Sequence, residues 1–185
     1  MSLETYRRKR DFRKTPEPAG GEPPAAGHRF VVQRHRATRL HYDFRLEVAG
    51  VLVSWAVPRG PTLDSAVRRM AIRTEDHPLE YFDFEGVIPK GEYGGGDVVV
   101  WDWGTFEPEE TDDPAAALRS GELKFALHGE KLRGRFTIVD TSHRRGSRNG
   151  DAEKDSWLLI KKKDADAVAD WDAEAHPRSV KSGRT

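Results

Sequence analysis

The sequence predicts a mostly β protein: a small antiparallel β-barrel with one or two short helices and an irregular N-terminal arm. Three observations support this fold class. Short segments with alternating or continuous apolar residues follow one another along most of the chain. Glycine, proline and aspartate separate these segments at short intervals. Helical signals are scarce, so strands at short spacing favour a closed or partly closed barrel.

Eight segments have the composition of strands, and one segment has that of a helix. Ala49 and Gly50 separate the second and third strands, where a hairpin turn is expected. Residues 114–120 (PAAALRS) form the helix candidate, with Asp112 or Asp113 as its N-terminal cap. The predicted strands comprise residues 30–35, 40–48, 51–57, 69–76, 97–106, 122–129, 131–140 and 156–163.

The N-terminal part of the chain differs in composition from the rest. We predict a basic, Pro/Gly-rich arm over residues 1–28 and a β-barrel domain over residues 29–185. Residues 15–27 (TPEPAGGEPPAAG) contain too much proline and glycine for a helix or strand. The basic side chains in residues 7–14 are compatible with a solvated surface and with contact to a phosphate backbone. The polar segment at 142–155 is expected to be a loop.

Composition excludes several classes of protein. The 31 basic and 31 acidic residues give a formal net charge of zero, which argues against nucleic-acid binding by bulk charge. The chain contains no cysteine, so disulfides and thiolate metal ligands are excluded. Its apolar runs are far shorter than the roughly 20 residues that span a bilayer. We therefore expect no membrane partner and a cytoplasmic location.

The strongest local signal for chemistry is the hexapeptide His41–Leu46 (HYDFRL). Because alternate side chains of a strand face opposite sides, His41, Asp43 and Arg45 share one face. The apolar side chains between them share the other face and form an ordinary core surface. Taken alone, the polar set is also compatible with the solvated face of a strand that carries an Asp43–Arg45 ion pair.

His35 strengthens the case for a metal site. It precedes His41 by six residues and can approach it if the chain bends back over residues 36–40. Two imidazoles and the Asp43 carboxylate offer nitrogen and oxygen ligands, which suit manganese, zinc or iron. Arg45 beside such a metal offers a planar fork for a phosphate. A metal and an arginine at one point indicate phosphoryl chemistry.

Other polar positions have ordinary explanations when each is taken alone. Surface arginines such as Arg59 and Arg69 are common, a lone histidine such as His77 is usually structural, and Tyr81 is compatible with a core position. The glycine-rich residues 89–96 lead into a strand and lack the Gly-Lys-Ser/Thr of a P-loop. We interpret them as a tight turn whose glycines allow positive φ.

Several longer stretches together closely resemble the 3′-phosphoesterase (PE) domain family of bacterial DNA ligase D, which includes free-standing members. The resemblance extends from about Tyr6 to the end of the chain. LHYDFRLE and EDHPLEYFDFEGVIPKGEYGGG are its most specific motifs. Further similar stretches are RKRDFRKTPEP, QRHRATRLHYDFRLE, SWAVPRGPTLD, and KFALHGEKLRGRFTIV with SWLLIKKKD.

The resemblance implies a manganese-dependent enzyme that heals DNA 3′ ends in double-strand break repair. Other divalent transition metals, such as Co²⁺ or Zn²⁺, also suit the ligand set. A phosphodiesterase step removes a 3′-terminal ribonucleoside and leaves a 3′-phosphate, and a phosphomonoesterase step then leaves a 3′-hydroxyl. The expected partners are primer–template 3′ ends, the ligase and polymerase modules of DNA ligase D, and end-joining proteins. A cytoplasmic protein associated with the nucleoid during repair is expected.

The resemblance also implies roles for individual residues. The expected manganese ligands are His35, His41 and Asp43. The expected contacts to the scissile phosphate are Arg45, His77 and Tyr81, with His77 a candidate proton donor. The basic positions that support the reaction are Arg59 and Arg69, and the carboxylates expected to matter more for the diesterase step are Asp11, Glu17 and Glu75.

One position departs from the family pattern. The family usually has WAVPKGP, and this chain has Arg59 at the lysine position. Arginine keeps the positive charge but offers a larger planar fork with different donors.

Two alternatives belong to different classes. A DNA-end binding module with a degenerate metal site would use the basic arm and the five tryptophans, since aromatic rings stack on unpaired bases. A metal-free structural barrel would explain the strand pattern but not the histidine–aspartate pairing. The joint presence of the expected metal ligands, Arg45 and His77 favours catalysis.

Overall fold

A computed structural model describes residues 1–21, 27–142 and 155–185 of the chain. Its described parts contain nine strands, two short α-helices and two 3₁₀ turns. The strands are β1 (Arg29–Arg36), β2 (Leu40–Val48), β3 (Val51–Val57), β4 (Arg68–Arg73), β5 (Gly86–Ile88), β6 (Gly96–Glu109), β7 (Glu122–Gly129), β8 (Arg133–Asp140) and β9 (Ser156–Lys161). The helices are α1 (Glu4–Arg8) and α2 (Pro114–Arg119), and the 3₁₀ turns are Leu79–Asp83 and Ala173–Ala175.

Eight of the strands close into an antiparallel barrel. They follow the order β1-β2-β3-β4-β9-β8-β7-β6, and β6 pairs in turn with β1. The ninth strand, β5, adds to β6 outside the closed ring. A register irregularity between Val32 and Gln33 lies where β1 pairs with the long strand β6. The predicted fold class, a mostly β antiparallel barrel with short helices, is confirmed.

Local elements mostly follow the sequence signals. Ala49 and Gly50 both have positive φ, 53° and 81°, and form the expected two-residue turn between β2 and β3. The Asp113 side chain caps α2 by accepting a hydrogen bond from the Ala116 amide at 3.1 Å.

Two strand bounds and two elements differ from the sequence prediction. The fourth strand ends at Arg73 and not at residue 76, β6 continues to Glu109 and not to residue 106, and α1 and β5 are not predicted. Residues 143–154, within the predicted loop at 142–155, and residues 22–26 of the arm lie outside the described residues. No helix in the described ranges is long and apolar enough to cross a bilayer.

Two apolar clusters lie on opposite sides of the barrel wall. The larger cluster fills the interior with aromatic and branched side chains, including Phe30, Tyr42, Phe44, Trp55, Trp101, Phe125 and Phe136. A smaller cluster covers part of the outer surface and includes Tyr6, Val31, Leu52, Leu79, Tyr81, Phe84 and Val100. From Tyr42 to Val48, β2 is therefore buried on both faces.

The N-terminal arm packs against this outer cluster. Tyr6 of α1 is fully buried, and its ring centroid lies 4.9 Å from that of His77. Thr15 and Glu17 are also buried. The arm thus covers the outer face of the barrel, where the polar residues of β2 lie. The division of the chain into an arm at residues 1–28 and a domain at residues 29–185 stays a prediction.

Candidate active site

The hairpin of β1 and β2 brings the three predicted metal ligands together. His35 lies directly opposite His41 in the strand register, and Asp43 follows two residues later on the same face. The Nδ1 atom of His35 lies 3.5 Å from one Asp43 carboxylate oxygen, and the Nε2 atom of His41 lies 3.3 Å from the other. One ligand atom from each residue lies within 4.8 Å of the other two. The group can therefore hold one metal ion.

Backbone carbonyls orient both imidazoles. The Nε2 atom of His35 lies 2.6 Å from the Gly94 carbonyl oxygen, and the Nδ1 atom of His41 lies 3.0 Å from the Arg39 carbonyl oxygen. Because a carbonyl only accepts, these nitrogens donate to it, and the opposite nitrogen of each ring faces Asp43, where it would offer its lone pair to a bound metal. Such hydrogen bonds are typical of histidines that bind metals. The glycine-rich turn thus helps to orient a candidate metal ligand, a role that its sequence did not indicate.

The charges around Asp43 favour a cation. Burial alone would raise the pKa of Asp43, but Arg45 and hydrogen bonds from His35 and His41 hold it well below its usual range. Burial alone would lower the pKa of His41, but its hydrogen bond with Asp43 and the carboxylate charge raise it. Asp43 is thus an ionised carboxylate beside two imidazoles. This set of nitrogen and oxygen donors fits manganese, zinc or iron.

Arg45 is buried next to the three candidate metal ligands and held by a neighbouring glutamine. One Nη atom of Arg45 lies 3.5 Å from Asp43, and its Nε donates to the Gln33 side chain at 2.7 Å. Gln33 in turn donates to the carbonyls of Tyr81 and Phe84 at 2.9 and 3.0 Å. The guanidinium is therefore positioned before substrate arrives. The sequence pattern alone did not identify Gln33 as a site residue, although it lies two positions before His35 on β1 and therefore on the same face.

His77 lies between two guanidinium groups. An Nη atom of Arg45 lies 3.2 Å from its Nδ1, and an Nη atom of Arg10 lies 3.3 Å from its Nε2. Nδ1 also lies 2.9 Å from the Glu75 carbonyl oxygen, to which it donates. Burial, Arg45 and Arg10 hold the pKa of His77 well below its ordinary value, so the ring is neutral. Proton donation by His77 stays a prediction and requires the ring to gain a proton when a negatively charged phosphate enters.

Arg10 connects the arm to this site. Its guanidinium pairs with Glu17 at 2.9 Å and with Glu75 at 3.1 Å. The hydroxyl of Tyr81 donates to Glu17 at 2.7 Å, and burial followed by the Glu17 charge raises the pKa of Tyr81 well above its usual range. Arg10 was not singled out from the sequence, where it lies within a run of basic residues. Only the fold distinguishes it from its exposed neighbours.

These side chains line one cavity of about 290 Å³. Of the predicted site residues, the structure brings together His35, His41, Asp43, Arg45, His77, Tyr81, Glu17 and Glu75.

Three predicted residues lie outside the lining of this cavity. Arg59 and Arg69 line a separate hollow of about 250 Å³ together with Arg68. Asp11 pairs with Arg13 at 3.1 Å. Roles for Asp11, Arg59 and Arg69 in the reaction stay predictions.

The arrangement suits chemistry on a phosphate ester. Three metal-ligand donors lie beside two guanidinium groups, which can bind phosphate oxygens and stabilise the charge that develops on them. Burial strengthens these interactions because little water screens them.

Comparisons with known proteins agree with this geometry. Residues 33–140, more than half of the chain, match the family described as the DNA ligase D 3′-phosphoesterase domain. The chain is 51% identical over 189 residues to the multifunctional non-homologous end joining protein LigD of Pseudomonas aeruginosa, an alignment that covers 99% of this chain and 21% of that protein.

Mycobacterial relatives show a similar pattern. The corresponding LigD protein of Mycolicibacterium smegmatis is 52% identical over 147 residues, covering 75% of this chain and 19% of that protein. The multifunctional non-homologous end joining DNA repair protein LigD of Mycobacterium tuberculosis is 51% identical over 143 residues, covering 76% of this chain and 18% of that protein. The chain thus spans about a fifth of the length of these relatives. Sequence similarity and the barrel lead to one conclusion, that the chain belongs to the DNA ligase D 3′-phosphoesterase domain family.

Proposed function

We propose that this chain is a manganese-dependent 3′-phosphoesterase that heals DNA ends in double-strand break repair by non-homologous end joining. The observation that carries the proposal is the single cavity onto which His35, His41 and Asp43 converge beside Arg45 and His77. A binding module would need no such convergence of three side chains that suit a metal. The names of the relatives, which place them in end joining, support the same process.

The protein supplies a prepared binding site for the phosphate. When bound, the metal ion lowers the pKa of a water molecule and neutralises charge on a phosphate oxygen. Arg45, fixed by Gln33, lines the cavity, and Arg10 lies on the other side of His77. Tyr81 keeps its proton because its pKa is raised, and its hydroxyl would have to turn from Glu17 to donate a hydrogen bond to the substrate.

The two proposed steps use the same phosphate-binding groups. In the first step, a water oxygen bonds to phosphorus, the bond from phosphorus to O5′ of the terminal ribonucleoside breaks, and O5′ takes a proton. The strand then ends in a 3′-phosphate. In the second step, water attacks this phosphate, the bond from phosphorus to O3′ breaks, and O3′ takes a proton, which yields a 3′-hydroxyl and inorganic phosphate.

The substrate and partners are part of the proposal. Primer–template 3′ ends are the proposed substrates, and manganese is the proposed metal, with Co²⁺ or Zn²⁺ as further occupants that the ligand set accepts. The relatives are described as multifunctional and are about four to five times as long as this chain, which supports ligase and polymerase modules as partners in the same process.

One assay tests the proposal directly. A 5′-labelled primer–template that ends in one ribonucleotide is incubated with the protein and manganese, and in parallel with a chelator. We expect a shortened strand with a 3′-phosphate, followed by the same strand with a 3′-hydroxyl, and neither product when chelator is present. Binding of the DNA without either product would support an end-binding module instead.

A further inference from the structure

A second cavity, of about 610 Å³, adjoins the candidate active site. It lies between α1 and the segment that follows β4, and it shares Thr74, Glu75 and Tyr93 with the first cavity. The three metal ligands and Arg45 are not part of its described lining. A group attached to a phosphate in the first cavity can therefore extend across this shared wall without displacing the metal ligands.

The shared wall contains an accessible aromatic ring. Tyr93 keeps 46% of its surface exposed, although the ammonium of Lys9 and the guanidinium of Arg10 lie 4.7 and 5.3 Å from its ring centroid. The Lys9 ammonium also donates to the Tyr93 hydroxyl at 3.2 Å. These contacts hold the ring in place while leaving part of it open. An exposed ring at this position is a stacking platform for a nucleobase.

The charged side chains of the second cavity balance. Its described lining contains three basic and three acidic side chains, namely Lys9, Arg73 and Arg119 with Glu75, Asp76 and Asp155. A balanced set gives no net attraction to a run of phosphates but offers many hydrogen-bonding groups to a neutral ligand. The hollow beside Arg59 differs, because its described lining has three arginines and no carboxylate.

We propose that the second cavity binds the terminal nucleoside that leaves in the diesterase step, with Tyr93 stacking against its base. This inference rests on the proposed function. Cleavage of the bond to O5′ with proton transfer to that oxygen releases a neutral nucleoside, which carries no phosphate. A neutral ligand suits a lining whose charged side chains balance, and the cavity of about 610 Å³ beside the reacting phosphate has room for it. The DNA strand that remains keeps its phosphates, so it suits a basic surface better than it suits this cavity.

The test compares two primer–templates that differ only at the 3′ end, one with a terminal ribonucleotide and one with a 3′-phosphate. For Tyr93→Leu we expect the ratio of kcat/KM for ribonucleoside removal to that for phosphate release to fall roughly tenfold, the effect of losing one base stack. The loss should lie mainly in KM, since stacking contributes to binding before and during the reaction. Tyr93→Phe keeps the ring and should keep the ratio.

Two further measurements make the result specific. Val168→Ala shortens a side chain that is also 46% exposed and lies outside the described lining of both cavities, and it should change neither activity. Adenosine, titrated into the manganese-loaded protein, should bind roughly tenfold more weakly to Tyr93→Leu than to the wild type. This titration needs no turnover, so it tests the second cavity even if the wild type proves inactive on both DNA ends.

Equal losses on both DNA ends in Tyr93→Leu would overturn the inference, because Tyr93 would then serve the common phosphate site. Equal adenosine affinities for the wild type and Tyr93→Leu would overturn it as well. An inactive wild type that still binds adenosine through Tyr93 would count against the proposed function alone.

Discussion

The two faces of β2 differ in chemistry although their residues alternate along one strand. On the inner face, Phe44 packs against Trp55 and Phe125, with ring centroids 6.2 and 6.0 Å away. On the outer face, Asp43 lies among two imidazoles and the guanidinium of Arg45. Both faces are buried, the inner by the barrel itself and the outer by the arm and the 3₁₀ turn Leu79–Asp83.

The difference indicates that side chains on one face of β2 stabilise the fold and that side chains on the other face serve the proposed chemistry. Apolar packing on the inner face holds the barrel closed, and its strength follows from the area removed from water. The outer face buries charges, which is favourable only because each charge has a partner. Neighbouring residues on β2 should therefore respond to substitution in opposite ways, one in activity and the next in stability.

The largest expected effect is on catalysis by the outer face. Asp43→Asn keeps the shape of the side chain but removes the charge of the proposed ligand, so both proposed activities should fall at least about 1,000-fold, because metal-based charge stabilisation contributes several kcal/mol. The measurement is kcat/KM on ribonucleotide-ended and 3′-phosphate-ended primers. Circular dichroism should show a folded barrel. A variant that keeps metal-dependent activity would show that Asp43 is not a ligand.

Phe44→Ala should have the opposite effect on the inner face. Loss of a buried aromatic side chain costs about 3–5 kcal/mol of unfolding free energy, measurable by chemical denaturation. At a temperature where the variant is folded, its kcat/KM should stay close to that of the wild type. A large loss of activity in fully folded Phe44→Ala would show that the two faces of β2 are coupled and would contradict their separation.

Arg10 belongs to the N-terminal arm but contacts the polar residues on the outer face of the barrel. Its side chain is 5% exposed and pairs with Glu17 and Glu75, whereas the side chain of Arg13 on the same arm is 90% exposed. Arg10→Ala should lower kcat/KM about 100-fold, as expected when a buried charge-stabilising donor is removed. Arg13→Ala is the matched control and should have little effect. Equal effects of the two substitutions would indicate that the arm contributes only general positive charge.

The smallest predicted effect distinguishes Glu75 from Asp11, two carboxylates that the family resemblance assigns to the diesterase step. Glu75 lines the cavity and pairs with Arg10, and Asp11 lies outside it. Glu75→Gln should lower ribonucleoside removal roughly tenfold more than phosphate release, the size expected for one charged hydrogen bond. Asp11→Asn should change this ratio little. A larger change in Asp11→Asn would mean that Asp11 approaches the substrate when DNA binds.

Sequence periodicity predicted much of the fold and of the metal site. Alternation in HYDFRL separated Asp43 from Phe44, and the short segment after His35 allowed the two histidines to face each other across a hairpin. Both inferences depend on neighbours in sequence or in a single strand pair. The short strand β5 and helix α1 escaped prediction because tertiary packing, more than local propensity, stabilises such short elements.

The supporting residues could not be predicted for the same reason. Gln33 donates a hydrogen bond to a carbonyl of the distant 3₁₀ turn. Arg10 contacts Glu75 and His77, which lie more than 60 positions away in the sequence. Gly94 contributes a backbone carbonyl, which no side-chain pattern reveals. The family resemblance included Asp11, Arg59 and Arg69, which the fold places outside the cavity.

The central claim is that His35, His41 and Asp43 bind one metal ion. Anomalous diffraction from crystals grown with manganese tests it most directly. We predict one peak about 2.0–2.3 Å from Nδ1 of His35, Nε2 of His41 and an Asp43 carboxylate oxygen, the range expected for such ligands. A manganese peak elsewhere on the barrel, with these three side chains hydrogen-bonded only to protein and water, would contradict the claim.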